Sequence, residues 1–340
     1  MPIKLRIATF NLENLDDKPG DKPTLDERIA VMRPQLQRLN ADILCLQEVN
    51  GQEAVGQPRR ILALQKLIEG TPYANFASVS TMTEDNKQVY DERNLVILSR
   101  FEILGHQQYK HKFAPPPLYR MVTATPADKE AKEVTWERPF LHATIKLPDS
   151  QILNVINVHL KSKLPSPIPG QKLNNYTWKT PSGWAEGFFL SSIKRVGQAL
   201  ETRIFIDQLF DADENALVAV CGDFNAEIDE VPVEAIRGDV ENTGNGKLSK
   251  RVMVACERSI PEPARFSLLH QGKGRMLDHV LISRRLLAYY RGAEIHNELL
   301  HDESLAFATD VLYPESDHAP VLAQFELPDG RATAKAVALT

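Results

Sequence analysis

Cysteine is scarce: three residues in 340, at Cys45, Cys221 and Cys256, far apart in the chain. An odd, sparse set builds no disulfide framework, and no C-x-x-C pair is present to hold zinc. Cys45 and Cys221 lie inside apolar runs, where a thiol behaves as a small buried hydrophobe. Long apolar runs are missing too; none approaches the ~20 residues that cross a bilayer. The start MPIKLRIATF lacks a basic segment followed by an apolar stretch. The expectation is a cytoplasmic protein without a membrane span. Excess positive charge is also lacking. Forty Lys and Arg stand against 45 Asp and Glu, a net charge of −5. That excludes a global basic field for polyanions and leaves only a local groove. Internal repeats and Gly/Ser linkers are absent. With 43% hydrophobic and 25% charged residues, wholesale disorder and coiled coil are excluded.

What is present is an alternation of short apolar runs and helical periods. Strands are expected at Leu5–Phe10, Ala41–Leu46, Leu95–Leu98, Pro139–Ile145, Ile152–Val158, Ala216–Cys221, His279–Ile282 and Val321–Phe325, each bounded by charged or turn residues. Helices are expected over Leu25–Leu39 (Ile29, Met32, Leu36 and Leu39 on one stripe), Arg60–Ile68 and Phe188–Leu209. The interleaving indicates a single α/β domain over 1–327, with an Ala-rich tail over 328–340 that frays. Irregular segments fall at 109–137, 163–184 and 238–265; loops of this length are functional lids, binding loops or disordered.

Polar or ionisable residues follow the apolar runs again and again. Asn11 and Glu13 follow IATF, and Glu48 follows DILCLQ. His159 and Lys161 follow NVINV, and Asp223 and Asn225 follow LVAVCG. Asp278 and His279 open the seventh strand, and Asp317 and His318 precede the last. Open α/β folds bind ligands at such strand ends. Carboxylates gathered there repel unless a cation holds them, and hard oxygen ligands suit Mg²⁺ or Mn²⁺. Taken singly, each residue is equally well a cap, an Asx-turn or a surface side chain. As a set, the pattern points to metal-assisted hydrolysis.

In order along the chain, ATFNLEN (8–14), DILCLQEV (42–49), NLVILSR (94–100), NVHLKSK (157–163), CGDFNAE (221–227), LDHVLIS (277–283) and SDHAPV (316–321) resemble the motifs of the endonuclease/exonuclease/phosphatase superfamily. These are metal-dependent phosphoesterases that include pancreatic deoxyribonuclease, apurinic endonucleases, neutral sphingomyelinases and inositol polyphosphate 5-phosphatases. The resemblance implies a four-layer α/β-sandwich, two mixed sheets face to face with helices outside. It also implies roles. Asn11 and Glu13 line the metal and phosphate site; Glu48 is the principal metal ligand, joined by Asp317. His159 hydrogen-bonds the scissile phosphate. Asp223 orients or deprotonates the attacking water beside the phosphate-binding Asn225. Asp278 pairs with the last histidine, His318.

A phosphodiester is then the substrate, with nucleic acid among the candidates, and Mg²⁺ or Mn²⁺ the cofactor. Histidines kept cationic by a carboxylate are expected to donate to the charged oxygens. Lys161 and Arg138 are candidate phosphate contacts, with Arg93 and Lys163 beside them; Arg195 and Arg203 read as structural. Apurinic endonucleases carry tyrosine at the position of His159 and lysine at that of Val49. The 5-phosphatase signatures are absent from VCGDFNAE and MLDHVL. NVHLKSK followed by a long loop and KRVGQALETRIFIDQL looks like bacterial nucleases and nuclease-like phosphodiesterases. A lipid or small-molecule phosphoesterase stays open beside that reading, as does a non-catalytic binding protein of the same fold. The sequence assigns no oligomeric state.

Overall fold

The computed structural model describes residues 2–53, 56–148, 150–309 and 311–328. The apolar runs pair into two six-stranded sheets. One holds β1 (Ile3–Leu15), β2 (Ile43–Val49), β3 (Ala77–Ser80), β4 (Asn94–Ser99), β15 (Tyr290–Ile295) and β16 (Val321–Leu327), in the order β15-β16-β1-β2-β4-β3. The other holds β5 (Glu102–Tyr109), β8 (Phe140–Lys146), β9 (Ile152–His159), β10 (Leu217–Asp223), β11 (Met253–Ala255) and β14 (Asp278–Ser283), in the order β11-β14-β10-β9-β8-β5. Short ladders, β6 (Leu118–Tyr119) with β7 (Lys132–Glu133) and β12 (Leu268–His270) with β13 (Lys273–Arg275), lie outside both. Each sheet is mixed, because β1 runs parallel to β2 and β9 parallel to β10 while their other neighbours are antiparallel.

Strand side chains alternate between faces, and both faces are covered. Between the sheets, Leu5, Ile7 and Ile43 meet Val155, Ala219 and Ile282. On the outer face of the first sheet, Ala8, Phe10 and Leu44 pack under α1 (Leu25–Leu39) and α2 (Leu62–Ile68) through Met32, Leu36 and Leu67. On the outer face of the second, Ile156, Val218 and Val220 pack under α3 (Pro181–Ala212) and α4 (Val231–Arg237) through Ala199, Ile206 and Val233. Helix, sheet, sheet, helix is the expected four-layer sandwich. Helix α1 has the bounds its apolar stripe predicts, with Thr24 and Glu27 forming a capping box and Asn40 closing it in the left-handed conformation.

The differences from expectation have local causes. Edge strands β3, β5, β11 and β15 escape the apolar-run criterion because one face of each meets solvent or is short. Helix α2 begins at Leu62, since Arg60 is drawn into a bridge with Gln52. Helix α3 begins seven residues before Phe188, at Pro181 behind the Thr180 cap, so 181–184 is helix rather than loop. Gly183 and Gly187 interrupt its apolar period because loop residues press on the helix there; a Cβ at Gly187 would lie 2.4 Å from the Ser166 carbonyl oxygen. Of the other two irregular segments, 109–137 carries the β6–β7 ladder, and 238–265 folds into short helical turns around β11. The expected tail lies, apart from Pro328, outside the described residues.

Candidate active site

Parallel pairing sends β1, β2, β9 and β10 to end at one rim, and β14 and β16 start there because they run antiparallel to β10 and β1. Several strands extend past their apolar runs: β1 to Leu15, β2 to Val49, β9 to His159 and β10 to Asp223. Asn11, Glu13, Glu48, His159, Asp223 and Asp278 thus lie within strands, whereas Arg138, Lys161, Asn225, Asp317 and His318 sit on the loops that adjoin them.

The backbone at this rim is bent. Glu13, Asn14, Glu48, Arg93 and Asn225 all have positive φ, between 46° and 59°. Each such L-residue costs on the order of 1–2 kcal/mol, and side chains of the same cluster hold four of these five turns. Asn11 Oδ1 accepts from the Glu13 amide, Glu48 Oε2 from Asn14, Asn50 Oδ1 from Arg93 and Asp223 Oδ1 from Asn225, all at 2.8–3.0 Å. Arg28, buried under the β1 bulge, donates to the carbonyls of Leu12 and Glu13. Gly222 has φ +149°, and a Cβ there would sit 1.9 Å from the Val158 carbonyl oxygen. Only glycine lets β10 lie this close to β9 directly before Asp223.

Asp223 is the centre. Its Oδ2 accepts from Asn11 Nδ2 at 3.1 Å and from Asn225 Nδ2 at 3.0 Å. His159 Nε2 lies 3.4 Å from the same oxygen and 3.5 Å from Glu48 Oε1. His318 Nε2 stands 4.0 Å from Asp223 Oδ2, while its Nδ1 donates to Asp278 Oδ2 at 2.7 Å. Ser267 Oγ accepts from the Asp278 amide, and Ser316 Oγ donates to the Asn11 carbonyl and accepts from the His318 amide. On the other side, Glu13 Oε2 accepts from the Asp317 amide at 3.0 Å.

The electrostatics divide the cluster. Burial pushes the Asp223 carboxyl up to about 7; Asp278 and Glu48 add to this, and the His318 charge opposes it. Burial and the neighbouring Asp317 push Glu13 up to about 8. Asp317 is raised by burial and by Glu48. His318 stays cationic: burial disfavours its charge, but Asp278, Asp223 and Asp317 together raise it well above an ordinary histidine. His159 is the opposite case. Burial lowers it far below an ordinary histidine, and Arg138 and His318 add to that. The expectation of two cationic histidines is therefore corrected: His318 is charged and His159 is neutral.

Two groups of this rim carry donors for an ion, and among the described residues only the first has all its ligand atoms close together. Asp223, Asp278 and His318 present ligand atoms all within 4.8 Å of one another. Hydrogen bonding already explains that closeness, and a protonated imidazole has no lone pair to give a metal. Glu13, Glu48 and Asp317 offer only hard oxygens. Burial first and then neighbouring carboxylates raise Glu13 and Asp317, and Asp317 Oδ1 is buried without a hydrogen-bond partner, 4.0 Å from His318 Nε2. A divalent cation would relieve both, so this trio fits Mg²⁺ or Mn²⁺.

The flanking cations divide likewise. Arg138 has a buried guanidinium nitrogen without a partner and feels the charges of Glu48 and Asp223. Lys161 is pushed down to about 8 by burial, with Arg138, Lys194 and Arg93 adding repulsion against Glu137. Both adjoin the His159 side. Arg93 is exposed and donates to Asn14. Lys163 turns away into an ion pair with Glu230 at 2.6 Å. Arg195 caps the carbonyls of Lys161 and Ser162, and Arg203 holds Asp207 and the carbonyls of Ile236, Arg237 and Arg251, both structural as read. His279 is buried on Glu257 and the Ala226 carbonyl, away from the cluster.

Sequence reasoning missed the support beneath. Arg28 sits on the apolar stripe of α1 between Leu25 and Met32, and a charge on that stripe is the signal that marks it. Gln47 and Asn157 cross between the sheets, Gln47 Nε2 donating to Asn157 Oδ1 at 2.7 Å and Asn157 to the carbonyls of Leu46 and Val96. Amides inside apolar runs are their only trace in the sequence.

Comparison with known proteins accords with this geometry. No curated protein matches the chain. Among solved structures, a family protein from Bacteroides thetaiotaomicron shares 14% identity, with 96% of each chain covered and a TM-score of 0.58. A D. rerio TDP2 humanized by 14 mutations shares 16%, covering 95% of this chain and 98% of that one at a TM-score of 0.54. The 3′ phosphatase NExo from Neisseria, solved with a product DNA hairpin, shares 18%, covering 94% and 99% at 0.50. At such identity the likeness is one of fold. The model of the Endonuclease/Exonuclease/phosphatase family matches residues 8–318, a span that contains every residue of the cluster. The chain belongs to the endonuclease/exonuclease/phosphatase family.

Proposed function

We propose that the chain is a divalent-cation-dependent phosphodiesterase that hydrolyses its substrate by in-line attack of an activated water. The observation that carries this is the surrounding of Asp223: a buried carboxyl held by two amides and faced by His159 and His318, with Glu13, Glu48 and Asp317 on the same rim. Asp223 takes the proton of the water, since an acid poised near neutrality is an effective base. Asn11 and Asn225 fix its orientation. His318, cationic and aligned by Asp278, donates to a phosphate oxygen as charge develops there. His159 donates as a neutral imidazole through Nε2, and Arg138 and Lys161 hold a second oxygen. Glu13, Glu48 and Asp317 are the residues that would hold Mg²⁺ or Mn²⁺. When bound, such an ion neutralises the charge growing on phosphate oxygens without a proton transfer.

Nucleic acid is the first substrate to test, supported by the DNA hairpin in the NExo structure. A lipid or small-molecule phosphodiester is the second, supported by the few cations left at the rim once Lys163 is engaged by Glu230. The test is turnover of single-stranded and plasmid DNA, RNA, sphingomyelin and inositol phosphates after chelation, with Mg²⁺ or Mn²⁺ added back. Turnover restored by either ion supports the reading. Full activity in excess chelator, or no turnover of any phosphoester, refutes it.

A further inference from the structure

Among the described residues, several of the large apolar side chains left in solvent lie at the start of α3 and on the two loops beside it. α3 runs antiparallel to β9 and β10. Arg195 and Gln198 lie level with Lys161 at the rim, so the first turns of α3 project beyond the strand ends that carry the site. Trp184, Phe188 and Phe189 are exposed there, Trp184 and Phe188 stacked at 5.5 Å. The two long loops flank this ridge. Tyr119 of one packs on Phe189 at 5.3 Å, and Trp178 of the other reaches Gly187. Each loop adds aliphatic tips: Leu118 at 69% exposure and Val122 at 72% on one side, Leu173 at 67% on the other. Monomeric proteins rarely leave so large an apolar patch to water.

The patch is also basic in an acidic chain. Residues 109–137 carry Lys110, Lys112, Arg120, Lys129 and Lys132 against Asp128, Glu130, Glu133 and Glu137, and residues 163–185 carry Lys172 and Lys179, besides Lys163 paired with Glu230, with no Asp or Glu. These loops are built to hold their shape. Glu186 on α3 accepts from Tyr119, Val122 and Thr123, and Glu201 from Lys112, Phe113 and Trp136. Two buried carboxylates thus fix the first loop against the helix.

We propose that this ridge and its two loops form a docking surface for an anionic phospholipid bilayer, on which the chain lies with its catalytic rim close to the headgroups. Apolar tips ringed by cations match the layering of a bilayer interface, acyl boundary under anionic headgroups. Leu118, Val122 and Leu173 have no π face for a base to stack on, whereas these tips and the aromatic Tyr176, the most exposed of them, can all enter an acyl boundary, which sets nucleic acid second. The ridge runs from about 14 Å (Phe189) to about 21 Å (Trp184) from Gln198 along the helix, near enough to the rim to present the site to the layer. The proposal is independent of the catalytic reading, and its test needs no turnover.

The test is co-sedimentation of the full chain with vesicles of equal phosphatidylglycerol and phosphatidylcholine, and with phosphatidylcholine alone. Binding to the anionic vesicles is expected, weakened about tenfold or more by Trp184→Ala/Phe188→Ala or by Leu173→Glu, with the melting temperature kept. The wild-type chain gives a second readout that needs no variant. Of its tryptophans, Trp136 is buried and Trp178 half-buried, so a blue shift on vesicle addition reports Trp184. Absence of both binding and shift overturns the proposal, as does equal binding by folded variants. Oligonucleotide binding without vesicle binding, lost in the same variants, overturns it in favour of a nucleic-acid surface. A concentration-dependent dimer broken by Leu173→Glu, again without vesicle binding, overturns it in favour of a second copy.

Discussion

A carboxyl group raised by burial is a statement about what the fold lacks at that spot, and Glu13 is the clearest case. Its carboxyl goes from 4.5 in an open chain to about 8 in the fold, through burial first and then Asp317. Between those values the folded chain keeps a proton that the unfolded chain has released, so the ion-free protein loses stability as pH rises through this window. A divalent ion displaces that proton, and its benefit grows as pH rises. Adding Mg²⁺ should therefore raise the melting temperature more at pH 8 than at pH 6, read by differential scanning fluorimetry. An equal shift at both values would mean the ion binds elsewhere. The residues that meet at the candidate rim were legible in the sequence because each interrupts an apolar run with a polar group: Asn11, Glu48, His159, Asp223. Their charge states were not legible. His159 and His318 read alike in sequence, and only their neighbours, an Arg138 charge for one and Asp278 for the other, separate them.

Elements carry the site by ending at the right place in the right conformation. β10 delivers Asp223 only because Gly222 permits a φ of +149° with the Val158 carbonyl pressed against it. Gly222→Ala should cost at least about 2 kcal/mol of stability and lower activity with it. Urea unfolding measures this; an unchanged midpoint would contradict the close approach of β9 and β10. The central strands and α1 were legible because both faces of a central strand are covered, which makes it a continuous apolar run, and because one face of α1 is a stripe. The edge strands were not, since a half-covered strand such as Glu102–Tyr109 reads as loop. Nor was the start of α3. Gly183 and Gly187 answer to the loop packed on them rather than to the helix, so tertiary contact overrode local propensity.

Across the whole molecule, net charge and local charge part company. The chain carries −5, and the Lys and Arg charges that reach His159 at the candidate rim are Arg138, Arg93 and Lys161, beside the His318 cation, Lys163 being paired with Glu230. Affinity for an oligonucleotide should therefore fall gently with salt, with a log–log slope of about −2 to −4, set by roughly 2–4 phosphate contacts. A slope implying eight or more contacts would reveal a groove that this charge distribution does not provide. The α/β class followed from the order of the elements and the four-layer arrangement from the resemblance of the motifs, whereas the apolar ridge on α3 followed from neither, because exposure is a property of the packed molecule. What the architecture achieves is convergence: residues up to 305 positions apart, such as Ser316 and Asn11, share hydrogen bonds at one rim. Whether that convergence hydrolyses phosphodiesters is settled by Mg²⁺ titration of bis(p-nitrophenyl) phosphate turnover in the wild type, Asp223→Asn and His318→Ala. Wild-type turnover should rise from nothing in chelator to saturation with Mg²⁺. Asp223→Asn should remain folded yet lose most of the rate, having no group to accept the water's proton, and His318→Ala should lose on the order of 10²-fold. Turnover that survives chelation, or wild-type rates in Asp223→Asn, would contradict the assignment.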